Sequence, residues 1–352
     1  MIYVHIPFCR SFCTYCGFYS EVAGSCPQTR YEEYIRTVCE EAAGRRDEIA
    51  RTRDVNTLYI GGGTPSVLPL SCLQTLLEAL PYGPWEEFTL EANPEDICEK
   101  GMPYLQGLRK LGVTRVSLGF QSFDDGILRW MNRRHTAARA RDAFALLREA
   151  GFDNISIDLI FGLSNLDHAC WEDTVRQALA LRPEHISAYQ LSIEEGSALE
   201  AQVAGGNYRE ASESHYRAQY DVLCHLLGEA GYHHYEVSNF ALPGFEARHN
   251  AAYWRRVPYV GLGAAAHSFD GRCRRWNTSQ IADYHAEYEV LSEDNARVET
   301  IMLGLRTDVG IEASLVDAGP LLAEGALVRC GDRVRIPEDH FFVSDDIIRQ
   351  LI

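Results

Sequence analysis

The chain has little of what marks a nucleic-acid binder, a small secreted protein or a membrane protein. Only two of its 352 residues are lysines, Lys100 and Lys110, and its formal net charge is −17. That balance leaves no basic footprint for a nucleic acid. An acidic surface favours solubility and selects no substrate. The scarcity of lysine beside arginine reads as codon bias. No apolar run approaches the roughly 20 residues of a membrane span, and no charged n-region with an apolar h-region stands at Met1. Eleven cysteines would form a disulfide framework in a small secreted chain, but this chain is neither small nor signal-bearing. Reducing cytoplasm is the expected compartment. Cys26, Cys39, Cys72, Cys98, Cys170, Cys224, Cys273 and Cys330 are scattered, and each reads as a reduced packing residue.

What the chain does have is concentrated at its start, MIYVHIPFCRSFCTYCGFYS. Ile2–Ile6 alternates bulky β-formers and predicts a strand, so Cys9, Cys13 and Cys16 fall on the loop leaving its C-terminal end. Thiolates favour zinc or iron–sulfur clusters. A structural zinc site wants four closed ligands, which would have to recruit His5 or the distant Cys26. A four-iron cubane held by three thiolates instead leaves one iron open to an exogenous ligand.

Downstream, strand and helix patterns alternate about every 30 residues, the length of a βαβ unit. Strands are predicted over Asn56–Ile60, Glu87–Ala92, Arg115–Phe120, Asn154–Ile160 and Ile186–Ile193. Helices are predicted over Tyr31–Arg51, Leu70–Leu80, Asp96–Leu111, Ala137–Ala150 with Thr136 as N-cap, Trp171–Leu181 and Ser212–Ala230. Six such units imply a parallel sheet that closes wholly or partly into a barrel, with its chemistry at the C-terminal strand ends. The polar motifs fall there: the cysteine loop, Gly61-Gly62-Gly63-Thr64-Pro65, Glu91, Gln121, Asp158 and Gln190. The doublets His233-His234 and Glu194-Glu195 carry no signal of their own.

With 46% hydrophobic residues the chain can bury one large domain and a smaller one. The expected division is a barrel over 1–231, an aromatic-rich segment over 232–296 that packs on the barrel opening, and a small module over 297–352. In the last, a helix over Glu299–Arg306 and a hairpin turning at Gly331-Asp332 suggest a winged-helix-like α+β unit.

The C-x3-C-x2-C spacing resembles the radical S-adenosylmethionine (SAM) superfamily. Its frame, Y-V-H-I-P-F-C followed by Y-C-G-F, resembles the oxygen-independent coproporphyrinogen oxidase group and the HemW-type haem chaperone branch within it. The fold this implies is a partial (β/α)6 TIM-like radical SAM barrel. The resemblance implies that Cys9, Cys13 and Cys16 ligate a 4Fe-4S cluster whose open iron is chelated by SAM, which an electron then cleaves to methionine and a 5′-deoxyadenosyl radical. It implies SAM contacts at Tyr3, Tyr15, Gly62, Gly63, Thr64, Glu91, Gln121, Arg133 and Asp158. A glycine run lets backbone approach a ligand closely, carboxylates accept from ribose hydroxyls or an ammonium, and Arg133 can pair with a carboxylate.

Two features separate the branches. The oxidases carry a further cysteine two residues after the third, where this chain has Phe18, and they carry an N-terminal extension not expected here. His249-Asn250-Ala251-Ala252-Tyr253-Trp254 matches the H-N-x-x-Y-W signature of the HemW branch, which implies haem contacts at His249, Asn250, Tyr253 and Trp254. A neutral imidazole is the usual axial ligand of haem iron, and aromatics give flat apolar walls. A packed core histidine is the plain alternative. His267, in G-L-G-A-A-A-H-S, is a weaker candidate. The expected partners are haem or a porphyrin, an apo-haemoprotein acceptor, and an electron donor such as flavodoxin or ferredoxin. Coproporphyrinogen III oxidation, or another haem-modifying reaction, remains the rival reading, and no catalytic residue is assigned.

Overall fold

In the computed structural model every residue is described except Ala23, Ser25, Cys26 and Tyr82. Cys26, one fourth ligand considered for zinc, therefore lies outside the described residues. The barrel strands are β1 (Ile2–Ile6), β2 (Thr57–Gly62), β3 (Glu87–Ala92), β4 (Arg115–Gln121), β5 (Ile155–Phe161) and β6 (His185–Gln190). They pair in chain order, all parallel. Their crossover helices are α1 (Pro27–Gly44), α2 (Leu70–Ala79), α3 (Pro94–Lys110), α4 (Ala137–Glu149) and α5 (His168–Leu181), and α6 (Glu213–Glu229) follows β6.

The period-2 pattern of the strands divides the molecule into two environments. Outward residues such as Leu58, Ile60, Phe88, Leu90, Val116, Leu118, Ile157 and Leu159 are fully buried against the helices. Burial of that apolar ring supplies the main stabilisation, at about 25 cal/mol per Å² removed from water. Inward residues are polar (Glu91, Arg115, Ser117, Asp158, Ser187) and line a cavity. In (β/α)8 barrels the lumen is filled by layers of branched apolar side chains. Here polar side chains line an open cavity instead.

Helix boundaries follow local chemistry. Thr136 caps α4, its hydroxyl accepting from Arg139 N at 3.3 Å. The single helix expected over Tyr31–Arg51 starts earlier, at Pro27, and breaks at Arg45, with a short helix over Arg46–Arg51. The Arg45 guanidinium there bonds Glu41, Glu48 and the Gly261 carbonyl. Helix α3 is kinked at Gly101 (φ 60°), two residues before Pro103, because proline removes an amide and crowds the preceding turn.

The segment 232–296 does not simply pack on the barrel opening. Val260–Leu262 adds a parallel strand beside β1, and the hairpin of His233–Glu236 and Asn239–Ala241 adds two antiparallel strands beside β6. The result is an open nine-stranded sheet. The helix Arg248–Trp254 crosses the N-terminal strand ends, where Glu87, first residue of β3, accepts from the amides of Arg248 and His249, each at 2.9 Å. It therefore plugs the floor of the barrel, at the end opposite the cysteine loop. The last residues form helix Glu293–Gly304, a three-stranded antiparallel sheet and terminal helix Ser344–Arg349, with the hairpin strands Val328–Cys330 and Arg333–Arg335 flanking Gly331-Asp332. Ile301, Leu321, Val334 and Phe341 of these elements are buried, Phe341 edge-on against the ring of His234 at 4.9 Å.

Candidate functional site

One cavity of about 1170 Å³ runs down the lumen, with Cys9, Cys13 and Cys16 at its mouth and Arg115 and Asn250 toward its floor. The three thiols are free. Their loop is pinned to the turn after β4. Thr14 N donates to the Met131 carbonyl at 3.1 Å and its hydroxyl to the Trp130 carbonyl at 2.8 Å. Asn132, in the left-handed region at φ 57°, donates to the Phe12 carbonyl at 2.6 Å. Arg133 is folded beneath, donating to Cys13 Sγ at 3.4 Å, Asn93 Oδ1 at 2.5 Å and the Gly119 carbonyl at 3.0 Å.

The donor set fits an iron–sulfur cluster better than zinc. Among the described residues no three His, Cys, Asp or Glu side chains converge on one ion, as a mononuclear site demands. Three thiolates on separate irons of a cubane need no such convergence. His5, the other zinc candidate, has both ring nitrogens engaged, Nδ1 with Tyr3 Oη at 3.0 Å and Nε2 with the Tyr19 carbonyl at 2.9 Å. Burial raises the Cys9 thiol and pushes Cys16 up to about 11. Metal binding must therefore displace their protons.

The glycine run lies directly under this loop. Gly63 N donates to the Ile6 carbonyl at 2.8 Å, and a Cβ there would lie 2.9 Å from the Phe8 carbonyl oxygen and 3.0 Å from Cys9 Sγ. Gly62 sits at φ 116°, and a Cβ on it would strike the His5 ring at 2.7 Å. Gly62, Gly63, Thr64, Tyr15, Glu91, Gln121, Arg133 and Asp158 all line the cavity. Tyr3 is not among its lining residues. Its ring packs beside Tyr59, centroids 6.0 Å apart.

The two carboxylates are held by groups of the neighbouring strands. Glu91 accepts from Tyr59 Oη at 2.6 Å and from Gly62 N at 3.0 Å. Asp158 accepts from Ser117 Oγ at 3.0 Å. Burial raises both, Glu91 to about 7. Gln121 enters the cavity from a bulge, where the β4–β5 register slips between Gly119 and Gln121 and the glutamine takes φ 65°. A non-glycine residue in that region is a strained choice that points to function.

The haem-associated motif is arranged differently from expectation. His249 is fully buried, with Nδ1 2.9 Å from Thr57 Oγ1 and Nε2 3.0 Å from Tyr253 Oη. Burial lowers its pKa to about 3, so the ring is neutral. In this geometry the imidazole is a satisfied core group, and only Asn250 of the motif faces the cavity. His267 is exposed and stacked on Trp276.

Several lumen residues escaped the sequence reading: Tyr59, Asn93, Arg115, Ser117, Gly119 and Ser187. Their signal was the polar phase of the strands, opposite the apolar one. Gly119 is the clearest case, since a Cβ there would lie 2.9 Å from Gln121 Nε2 and 3.1 Å from Arg133 Nη2. Glu194 and Glu195 also line the cavity, Glu194 so close to the cysteine loop that a Cβ on Gly17 would lie 2.6 Å from its own Cβ.

Comparison with known proteins agrees with this arrangement. Residues 3–178 match the radical SAM superfamily. The chain is 36% identical to the heme chaperone HemW of Lactococcus lactis over 88% of its own length and 82% of that protein. It is 34% identical to HemW of Escherichia coli, covering 96% of the chain and 94% of the relative. For HemW of Mycobacterium tuberculosis the identity is 32%, over 100% and 94%. The solved structure of E. coli coproporphyrinogen III oxidase (HemN) superposes with a TM-score of 0.82 at 21% identity, over 99% of this chain and 88% of that one. At that identity the likeness shows the fold alone.

Proposed function

Since the chain belongs to the radical SAM superfamily and, within it, to the HemW family of heme chaperones, we propose that it binds haem and passes it to an acceptor haemoprotein. The carrying observation is that three free thiols, a backbone cradle and two half-buried carboxylates face one lumen. A bound 4Fe-4S cluster would supply the one-electron chemistry for cleaving SAM.

The residues of this chain do the rest. Cys9, Cys13 and Cys16 would hold the cluster, and Arg133 donates toward Cys13. Gly62, Gly63 and Thr64 offer backbone and hydroxyl to SAM's methionine moiety, while Glu91 and Asp158 accept from its hydroxyl or ammonium groups. Tyr15 and Gln121 flank the same space. Phe12 and Phe18 are 56% and 75% exposed at the mouth, and such flat apolar rings suit a porphyrin face. Phe18 stands where the oxidases carry a further cysteine, which favours the chaperone over porphyrinogen chemistry. A flavodoxin or ferredoxin as donor and a cytoplasmic location complete the proposal. No helix among the described residues is long and apolar enough to cross a membrane.

The test is an anaerobic haem titration of the reconstituted protein followed in the Soret band, then mixing with an apo-haemoprotein. Saturable binding near one haem per chain and transfer of the Soret signal are expected. Absence of saturable binding, with turnover of coproporphyrinogen III, would sink the chaperone reading.

A further inference from the structure

Arg115, first residue of β4, is 1% exposed, yet it lines the floor of the lumen. Among the described residues neither its Nε nor its Nη1 has a hydrogen-bond partner. No carboxylate lies within ion-pair distance of it among those residues either. The nearby acids are committed elsewhere, Glu91 to Tyr59 and Gly62, and Asp158 to Ser117. Thr89, its register partner on β3, is likewise buried with an unpartnered hydroxyl. The charge of Arg115 acts on both carboxylates from a distance, but a buried guanidinium short of direct partners is costly, because desolvation is not offset by contact hydrogen bonds. Such a group persists where it meets an anion that arrives with a ligand.

From this geometry we infer that Arg115 is a carboxylate-binding residue at the floor of the lumen, taking a propionate arm of the porphyrin that enters past the cysteine loop. The planar fork of a guanidinium matches a carboxylate in two parallel hydrogen bonds. The lumen is continuous from the thiols to Arg115, so a ligand anchored there would lie beneath the SAM-facing residues. The hydroxyl of Thr89 can donate to the same anion. Arginine 133 cannot serve in its place, since it is already folded against Cys13, Asn93 and Gly119. The assignment rests on the haem-binding reading for the identity of the ligand, and on Arg115 alone for the anion site.

The experiment compares haem with haem dimethyl ester, which lacks both carboxylates, on unmodified protein and on R115Q. Arg115→Gln should weaken haem binding about tenfold to hundredfold, the range of a charge-assisted bidentate contact, and leave the ester within about twofold. Equal weakening of both ligands, or of neither, overturns the proposal. Weakened SAM binding in R115Q with haem unchanged would assign the carboxylate to SAM and also overturn it. Crystals of unmodified protein soaked in 3-bromopropionate give a readout independent of haem and of the variant's folding. A bromine anomalous peak beside Arg115 supports the anion site, and water alone there overturns it. Protein that binds no haem yet shows that peak would refute the chaperone reading while keeping the site.

Discussion

The Nδ1 of His249 lies 2.9 Å from the hydroxyl of Thr57, the first residue of β2. That bond ties the helix carrying the haem-associated motif to the floor of the barrel, and Tyr253 takes the other ring nitrogen. Axial ligation of haem through Nε2 of His249 therefore requires the Tyr253 bond to open, while the Thr57 hydroxyl can keep the other ring nitrogen oriented. His249→Ala should destabilise the fold by about 2–4 kcal/mol, from a cavity and two stranded hydroxyls. Thermal unfolding and Soret titration on the same variant separate the roles. Lost stability with intact haem affinity would leave His249 a structural plug.

The same histidine sets an acid limit. Its folded pKa is depressed from the ordinary 6.5 to about 3 by burial. Below pH 6.5 the unfolded chain takes up a proton that the folded chain refuses, so stability falls with pH from there toward 3. His249→Gln should flatten that part of the stability–pH curve, measured by urea unfolding between pH 4 and 7. An unaltered slope would assign the acid sensitivity to other groups.

Glu91 makes the opposite prediction for the ligand. Burial raises it to about 7, so near neutrality a fraction is protonated and cannot accept from SAM. Affinity for SAM should rise as pH passes upward through about 7, with a proton released on binding, and become flat in Glu91→Gln. Calorimetric titration in two buffers of different ionisation enthalpy measures the proton directly.

Gly63 leaves no room for substitution. Gly63→Ala would push a methyl group against the Phe8 carbonyl and Cys9 Sγ, and should lower reconstituted iron and sulfide as Cys13→Ala does. Full iron loading in either variant would contradict the placement of the cluster on this loop.

Lys100, one of two lysines in the chain, donates to the carbonyls of Ser66, Val67 and Leu68 at 2.6, 3.0 and 2.7 Å. It thereby closes the turn that follows the glycine run. Lys100→Met should cost about 1–3 kcal/mol of stability and weaken SAM binding through the displaced Thr64. Unchanged melting temperature and SAM affinity would show that the turn holds without it.

Much of this protein was legible in its sequence because the signals were local. Alternation in Ile2–Ile6, Glu87–Ala92 and Arg115–Phe120 marked strands, Thr136 marked a helix start, and the cysteine spacing marked a loop at a strand end. Those depend on backbone geometry within a few residues. The tertiary structure decided what depends on which residues meet across the lumen. The inward phase of β2–β6 brings Tyr59 to Glu91 and Ser117 to Asp158, and leaves Nε and Nη1 of Arg115 without a hydrogen-bond partner among the described residues. The helix Arg248–Trp254 goes to the floor because Glu87, 161 residues away from Arg248, supplies the acceptor its first amides need. No local pattern encodes such a pairing. Spacing alone determined that the thiols could share a cluster; the curvature and strand order of the sheet decided what else faces it.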